Sequence, residues 1–522
     1  MDPVVHMILK AMAVRLKEVN DKINDISNSI IRDLAFRLFF DGLLHPIPSS
    51  TILKFVCGQS QTSIDSTLEA YWINTSIRQS PVFYFSPVES HSIYPVEAAV
   101  ALVKTADTAI VLWCNPLWRG KNQFLAGLNL SNIEYNVDEK DTLYIGLIRN
   151  GPEIQIPALE LFISGSPELL GLLRWGRWSC TEDGRQFAKP FYPGTEAVKR
   201  AEKEKNIPKL SVWGHNFFPY EHIEEYRDYF FSVPSGKAGK VPEDLKAAFH
   251  GQEPGFWESV EPLYWIKIEF NKRIAGQTLD SFELAATNCV VAINAHGQKQ
   301  SNFYNGPGAM TIELQAPACE IYEIISVDDN HGRLYSNVYT LDQEGDYDCR
   351  YVPRIKGNLL ELVVNPPPQG ILPDRFYVHY RTSNGVAGNG ILPGLINALY
   401  NPQPGIESVI NLTTSKGGVN AKSFDDMVGI FMQVLKSRNR AIVAADYESL
   451  ALAFDQRIKS AEPRLGSSIR NGILYRCVEI ELDLGEYRFE PAEEGRLFLA
   501  RIQRYLESRS PMGTVVVAKF AK

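Results

Sequence analysis

The sequence has little of what marks secreted, membrane-spanning or nucleic-acid-binding proteins. Its seven cysteines, Cys57, Cys114, Cys180, Cys289, Cys319, Cys349 and Cys477, are odd in number, and no two lie closer than 30 residues. There is no Cys-x-x-Cys pair and no disulfide framework, so buried, reduced thiols in a reducing compartment are expected. No stretch approaches the roughly 18 uncharged apolar residues that a bilayer span requires. The richest, Ala98 to Trp113, is short and carries Lys104 and Asp107. A signal-peptide pattern is missing as well, because the first apolar residues recur at helical intervals broken by charges. Lys plus Arg number 53 against 61 Asp plus Glu, a formal charge of -8 with no basic run. That balance argues against nucleic-acid binding and against adhesion to anionic lipid. A cytoplasmic protein with no membrane insertion is the expectation.

Catalytic signatures are equally scarce. There is no His-Glu-x-x-His, no phosphate-binding P-loop, no Gly-x-Ser-x-Gly and no EF-hand loop. Gly388-Asn389-Gly390 with Gly394 has the wrong spacing for a dinucleotide fingerprint and reads as turns needing positive φ. His215 and His222 are the closest histidine pair, near Glu224 and Glu225, but they meet no metal spacing rule, and packing roles are expected. Trp175 and Trp178 beside Cys180 suggest a sugar platform only weakly, since such clusters usually pack cores or turns. Paired carboxylates for glycosidase-like chemistry are spatial, and 61 acids offer too many pairs to be informative. The sequence therefore predicts no enzyme, no metal and no cofactor.

What the chain does have is size and one strongly periodic segment. Its 522 residues, 45% hydrophobic and 22% charged, are enough for several cores without disulfides or metal. From Val4 to Asp41 there is neither Gly nor Pro, so one helix is permitted over nearly the whole stretch. Val5, Leu9, Met12, Leu16, Val19, Ile23, Ile26 and Ile30 alternate spacings of 4 and 3, a 3.5-residue repeat. Arg15, Lys17, Glu18, Asp21 and Lys22 fill the other positions. Such a seam stays aligned only if helices supercoil, and 38 residues reach about 57 Å. An amphipathic helix packed on its own chain is the plainer reading. The regularity, length and terminal position favour a bundle with other chains.

Texture then divides the remainder. Pro46 and Pro48 end the helix. Short apolar runs follow: Pro81–Phe85, Ala109–Trp113, Leu143–Leu147 and Leu159–Ile163, the last alternating with period two as in an antiparallel sandwich. Thr195 to Lys209 is a charged helix or linker. Strands are expected at Leu263–Phe270 and Thr287–Ile293 and near Ile321 and Tyr377, with a surface connection at Pro366–Gly370. Ser423, with Asp426 three residues on, starts a helix burying Met427, Phe431, Val434 and Leu435. Asp446 starts another with Tyr447, Leu450, Ala451 and Phe454 inward. A strand at 473–484, a helix at 493–506 and a strand at 514–520 complete a β-α-β unit. The expected fold class is an α+β multidomain chain with a long N-terminal bundle-forming helix, β-sandwich-like wings and a compact C-terminal α+β domain. Divisions are expected at 1–45, 46–200, 201–370 and 371–522.

Several passages resemble one family. Asp2-Pro3, the long helix and Pro46-Ile47-Pro48-Ser49 through Ile52 resemble the TssF family, baseplate wedge subunits of bacterial type VI secretion systems. Ile223 to Pro234 is similar to that family's Tyr- and Phe-rich stretch, and Asn288, Cys289 and Asn294 to its Asn-Cys strand, with Val291 where proline is usual. Gly385–Gly394, Lys416–Met427 and Arg438–Ala451 resemble the J-like wedge proteins of contractile phage baseplates, with Lys422 at a usually acidic position. The motif residues carried over are Gly388, Asn389, Gly390, Gly417, Gly418, Asp446 and Tyr447.

The resemblance implies a non-enzymatic scaffold without cofactors. It implies a second TssF copy, TssG, TssK, a TssE-like subunit and the VgrG spike hub as partners, in a cytoplasmic baseplate docked at an inner-membrane complex. The β-rich wings would spread from the bundle, and the C-terminal domain would join wedges into a ring. The same architecture in a contractile phage tail or extracellular injection system is the alternative. A β-sandwich hydrolase is a further one.

Overall fold

A computed structural model describes residues 45–58, 61–74, 81–104, 109–115, 141–149, 159–180, 226, 229–233, 241–242, 245, 263–271, 274–306, 308–338, 349–356, 358–366, 371–422, 438, 440–455, 457–470, 473–485 and 492–521. The heptad seam from Val5 to Ile30 lies outside these residues, as do Thr195–Lys209, His215, His222 and the Ser423–Leu435 stretch. The described chain is mostly β, in several sheets.

A six-stranded antiparallel sheet draws its strands from opposite ends of the sequence. In spatial order they are Ala398–Leu399, Ala70–Ile73, Val82–Pro87, Cys289–Ile293, Ser50–Cys57 and Ile406–Asn411. Ser50–Cys57 lies inside the sheet, and its Ile52, Leu53 and Phe55 are buried on both faces. Next to it, Thr287–Ile293 is two strands rather than the single expected one. Leu284–Thr287 and Cys289–Ile293 are separated by Asn288, which sits at φ 56 in the left-handed region. Asparagine tolerates that conformation better than other side chains with a Cβ. The two strands consequently join different sheets.

A five-stranded sheet runs in the order Arg177–Cys180, Tyr264–Glu269, Thr142–Arg149, Val96–Lys104 and Ala109–Cys114. Within Val96–Lys104 the stretch from Ala98 to Val103 is a continuous apolar run because both its faces are covered. Ala98, Ala101 and Val103 join one core, and Ala99, Val100 and Leu102 join another with Trp265 and Tyr144. Pro167–Trp175 forms a helix because Ser166 caps it, its Oγ accepting from Leu169 N, with proline in the first turn. That helix buries Leu169, Leu170 and Leu173. Trp178 is buried, stacks on Phe231 and donates to Leu173 O, whereas Trp175 stands 82% exposed, so the two make no shared platform. The thiols also differ from expectation: Cys57, Cys289 and Cys477 are buried, but Cys319 is exposed.

Leu159–Ser164 pairs with Phe230–Val233 and Leu284–Thr287. Leu159, Leu161 and Ile163 face one core and Phe162 another, which leaves Glu160 as the polar residue of the run. Its Oε2 lies 3.8 Å from His91 Nδ1. Burial, and then the nearby Glu89, push the Glu160 carboxyl up to about 7, while burial lowers the His91 imidazole. Folding thus favours protonated Glu160. The stability this contributes is full below the ordinary carboxyl value and is lost as pH rises through about 7. Glu160→Gln is expected to raise the melting temperature at pH 8 and leave it unchanged at pH 4, as checked by calorimetry.

Residues 296–382 form a sandwich. One sheet is His296–Phe303, Arg375–Thr382 and Ile321–Asp329. The other is Met310–Pro317, Leu359–Asn365, Arg350–Lys356 and Ser336–Asn337. Between them pack Ile312, Leu360, Leu362, Phe376, Val378 and Tyr351. The Arg375–Thr382 strand lies across residue 370 from its sheet partners, and Tyr264–Glu269 pairs across residue 200 with Thr142–Arg149. Hydrogen bonding therefore ignores sequence proximity at both places.

The last unit is a three-stranded sheet, Ser460–Arg470, Ile473–Asp483 and Val515–Phe520, packed with the helices Ala444–Phe454 and Ala492–Glu507. Ile473–Asp483 and Val515–Phe520 run parallel, joined through the second helix. Tyr447, Leu450, Ile480, Leu482, Ile502 and Val516 fill its core.

Candidate functional site: a junction of loops

The passage before the central Ser50–Cys57 strand has proline at 46 and 48, leaving Ile47 as the donor between them. Ile47 exchanges backbone hydrogen bonds with Val419, at 2.9 and 2.8 Å. Ser50 does the same with Lys416, at 2.7 and 3.0 Å. The chain near residue 416 is thereby fastened to the chain near residue 48.

A second loop closes on the same place. Gly388 O accepts from two hydroxyls, Ser49 Oγ at 2.8 Å and Ser415 Oγ at 2.7 Å. A Cβ on Gly388 would fall 2.5 Å from Ser49 Oγ, so glycine is required there for space. Gly390 and Gly417 answer a different demand, with φ of 80 and 85. Asn389 grips the opposite loop with both amide atoms: Nδ2 donates to Gly418 O at 2.9 Å, and Oδ1 accepts from Gly418 N at 2.7 Å. A Cβ on Gly418 would lie 2.3 Å from Gly385 O. Backbone meets backbone here without room for a methyl group.

The asparagines of the 288–294 segment complete the junction. Asn294 N donates to Ser49 O at 2.7 Å. Its buried amide donates to Tyr84 O at 3.0 Å and accepts from Asn384 N at 2.9 Å and Ser383 Oγ at 3.3 Å. Asn288 does similar work one strand earlier, accepting from Tyr94 N and donating to Tyr94 O. From the aromatic stretch, Tyr226 donates to Ser50 O at 3.1 Å, and Lys416 Nζ lies 5.6 Å over its ring.

Gly388, Asn389, Gly390, Gly417 and Gly418 are thus brought together. Asp446 and Tyr447 are not. They sit in the C-terminal unit, where Asp446 Oδ2 accepts from Ile442 N and Val443 N and so caps its helix. Tyr447 meets Ser510 Oγ at 2.9 Å. Lys422 Nζ donates to Leu452 O and Ile458 O, so the cation ties the 416–422 segment to the C-terminal unit. Ser49 and Asn294 entered the sequence reading only within the resembling motifs, and Ser415 was not singled out. The Pro-x-Pro spacing was the available signal, since it predicts a segment whose few donors need distant acceptors.

Chemically the junction is closed. Its hydroxyls and amides are spent on backbone groups and on one another, and Lys416 and Tyr226 are the titratable side chains it brings together. Among the described residues no group of three His, Cys, Asp or Glu side chains is placed to hold a metal ion. Nor is any helix among them long and apolar enough to cross a membrane.

No family model matches the chain, and no curated protein does. Solved structures do. A chain of the type VI secretion system TssK-TssF-TssG baseplate subcomplex superposes with a TM-score of 0.50 at 14% identity, covering 99% of this chain and 96% of that one. A chain of another type VI secretion baseplate complex gives 0.36 at 13% identity over 100% and 90%. A chain of the anti-feeding prophage baseplate gives 0.31 at 9% identity over 100% and 68%. The first of these shares its fold with this chain over nearly the full length of both.

Proposed function

We propose that this chain is a non-enzymatic structural subunit of a contractile injection-system baseplate, a wedge component of the TssF kind. The observation that carries this is the end-to-end fold likeness to a chain of the TssK-TssF-TssG subcomplex. The junction supports it: each passage that resembles baseplate wedge proteins, apart from the extreme N-terminus and the 438–451 stretch, contributes to one set of loops with a mechanical role. In this reading residues 1–45 supply the bundle through Val5, Leu9, Met12, Leu16, Val19, Ile23, Ile26 and Ile30. The wings spread over 46–200 and 201–370, and the 371–522 region joins neighbouring wedges.

The partners are a second copy, TssG-like and TssK-like proteins, a TssE-like subunit and a VgrG-like spike hub. The assembly is cytoplasmic and docks at an inner-membrane complex. Co-expression with TssG-like and TssK-like proteins tests this. The expected result is one complex on size-exclusion chromatography, and elution of this chain apart from both would refute the reading.

A further inference from the structure

The outer face of the His296–Phe303, Arg375–Thr382, Ile321–Asp329 sheet carries an arrangement that the junction does not use. Its inner face supplies Phe376, Val378, Ile324 and Val327 to the sandwich core. Alternation along the strands puts Lys299, Ser301 and Phe303 on the outer face, with Arg375, Tyr377 and His379 of the neighbouring strand. Arg375 Cζ stacks 3.9 Å from the Phe303 ring centroid, and Lys299 Nζ lies 5.1 Å over Tyr377. Phe303 is 60% exposed despite that stacking.

Neither cation has a carboxylate within ion-pair distance among the described residues. On the same sandwich, Lys356 meets Glu361 at 2.9 Å and Arg381 meets Glu323 at 2.6 Å. Asp328, an acid of the neighbouring strand on this face, lies 3.6 Å from His379.

A guanidinium held over a ring is restrained, and its planar fork suits a carboxylate taken by two parallel hydrogen bonds. The ring beneath costs the cation some hydration and holds it still. Lys299 reaches along the strand to Tyr377, which pairs with Ser301, one side-chain repeat short of the Phe303–Arg375 row. The two rows that hold the cations are successive side-chain repeats on this face, about 7 Å apart along the strands. In a protein of net charge -8 this pair is a local reversal of sign.

We propose that this face binds an extended acidic segment of a partner protein, whose carboxylates at alternate positions meet Lys299 and Arg375 while apolar side chains lie on Phe303 and Tyr377. Charge complementarity and the repeat distance select that occupant. An oligonucleotide would offer the competing anion.

The test uses the full chain and fluorescence anisotropy with three labelled probes: a peptide alternating Glu and Ser, one alternating Lys and Ser, and oligo-dT. The Glu-Ser peptide is expected to bind, weaken with added salt, and lose roughly tenfold in affinity in a Lys299→Glu, Arg375→Glu variant. Arg375→Lys, which keeps the charge and loses the fork, is expected to lose about threefold. The Lys-Ser peptide is expected not to bind. All three changes lie at exposed positions, Lys299 and Arg375, and circular dichroism verifies that the fold persists. Absence of Glu-Ser binding to the wild-type chain, binding indifferent to charge reversal, or tighter capture of oligo-dT through these two residues would each overturn the proposal.

Discussion

Replacing Gly418 by alanine is expected to destabilise the protein by about 3 kcal/mol or more. The added Cβ would lie 2.3 Å from Gly385 O and 2.8 Å from Asn389 Oδ1. The first is a backbone atom that cannot rotate away, and the second belongs to the amide that holds both Gly418 N and Gly418 O. Relief therefore requires the two loops to separate, which also strains the hydrogen bonds between Ile47 and Val419 and between Ser50 and Lys416.

Gly390 is the control within the same junction. It has φ 80, but a Cβ there meets nothing within 4 Å. Gly390→Ala should cost only the left-handed backbone penalty, about 1 kcal/mol. Calorimetry on the two variants checks the contrast. Equal losses would mean that the close approach of backbones is not what holds the junction.

The second large effect concerns the heptad seam. A Leu16→Asp, Ile23→Asp double variant puts two carboxylates on the apolar repeat that the proposed bundle would bury. Burying either charge without a partner costs several kcal/mol, so the expected loss of affinity for a TssG-like protein exceeds about a hundredfold. Among the described residues the sheets begin at Ser50, and they should keep their circular dichroism and melting behaviour. A pull-down with the tagged partner measures the loss. Retained binding by the double variant would remove the seam from the interface.

What the sequence revealed and what it concealed divide along physical lines. Leu159–Ser164, Thr142–Arg149 and Tyr264–Glu269 are dense in β-branched, aromatic and leucine side chains, and such runs announce strands by local preference. Ala444–Phe454 and Ala492–Glu507 carry helical periodicity, and Asp446 at the start of the first marks its cap. Ser460–Arg470 gave no such signal. It contains Pro463, Gly466 and several charged residues, and it is a strand because it pairs along its whole length with Ile473–Asp483.

Partnership over long separations was also hidden. Nothing local in Ser50–Cys57 says that its neighbours will be residues 289–293 and 406–411. The junction was half legible. The Gly388-Asn389-Gly390 stretch with Gly394 suggested positive φ, and Gly390 and Gly394 have it whereas Gly388 does not. Gly388 and Gly418 are glycine for a reason visible only in three dimensions, the lack of space for a side chain.

The central claim is that this chain is a scaffold whose amphipathic N-terminal segment is completed by other polypeptides. Cryo-electron microscopy of the complex purified with the TssG-like protein tests it most directly. The account requires residues 5–30 to run as a rod alongside helices of another chain, with Leu16 and Ile23 at the contact. Density showing that apolar stripe covered by this chain's own sheets, with no second polypeptide beside it, would contradict the account.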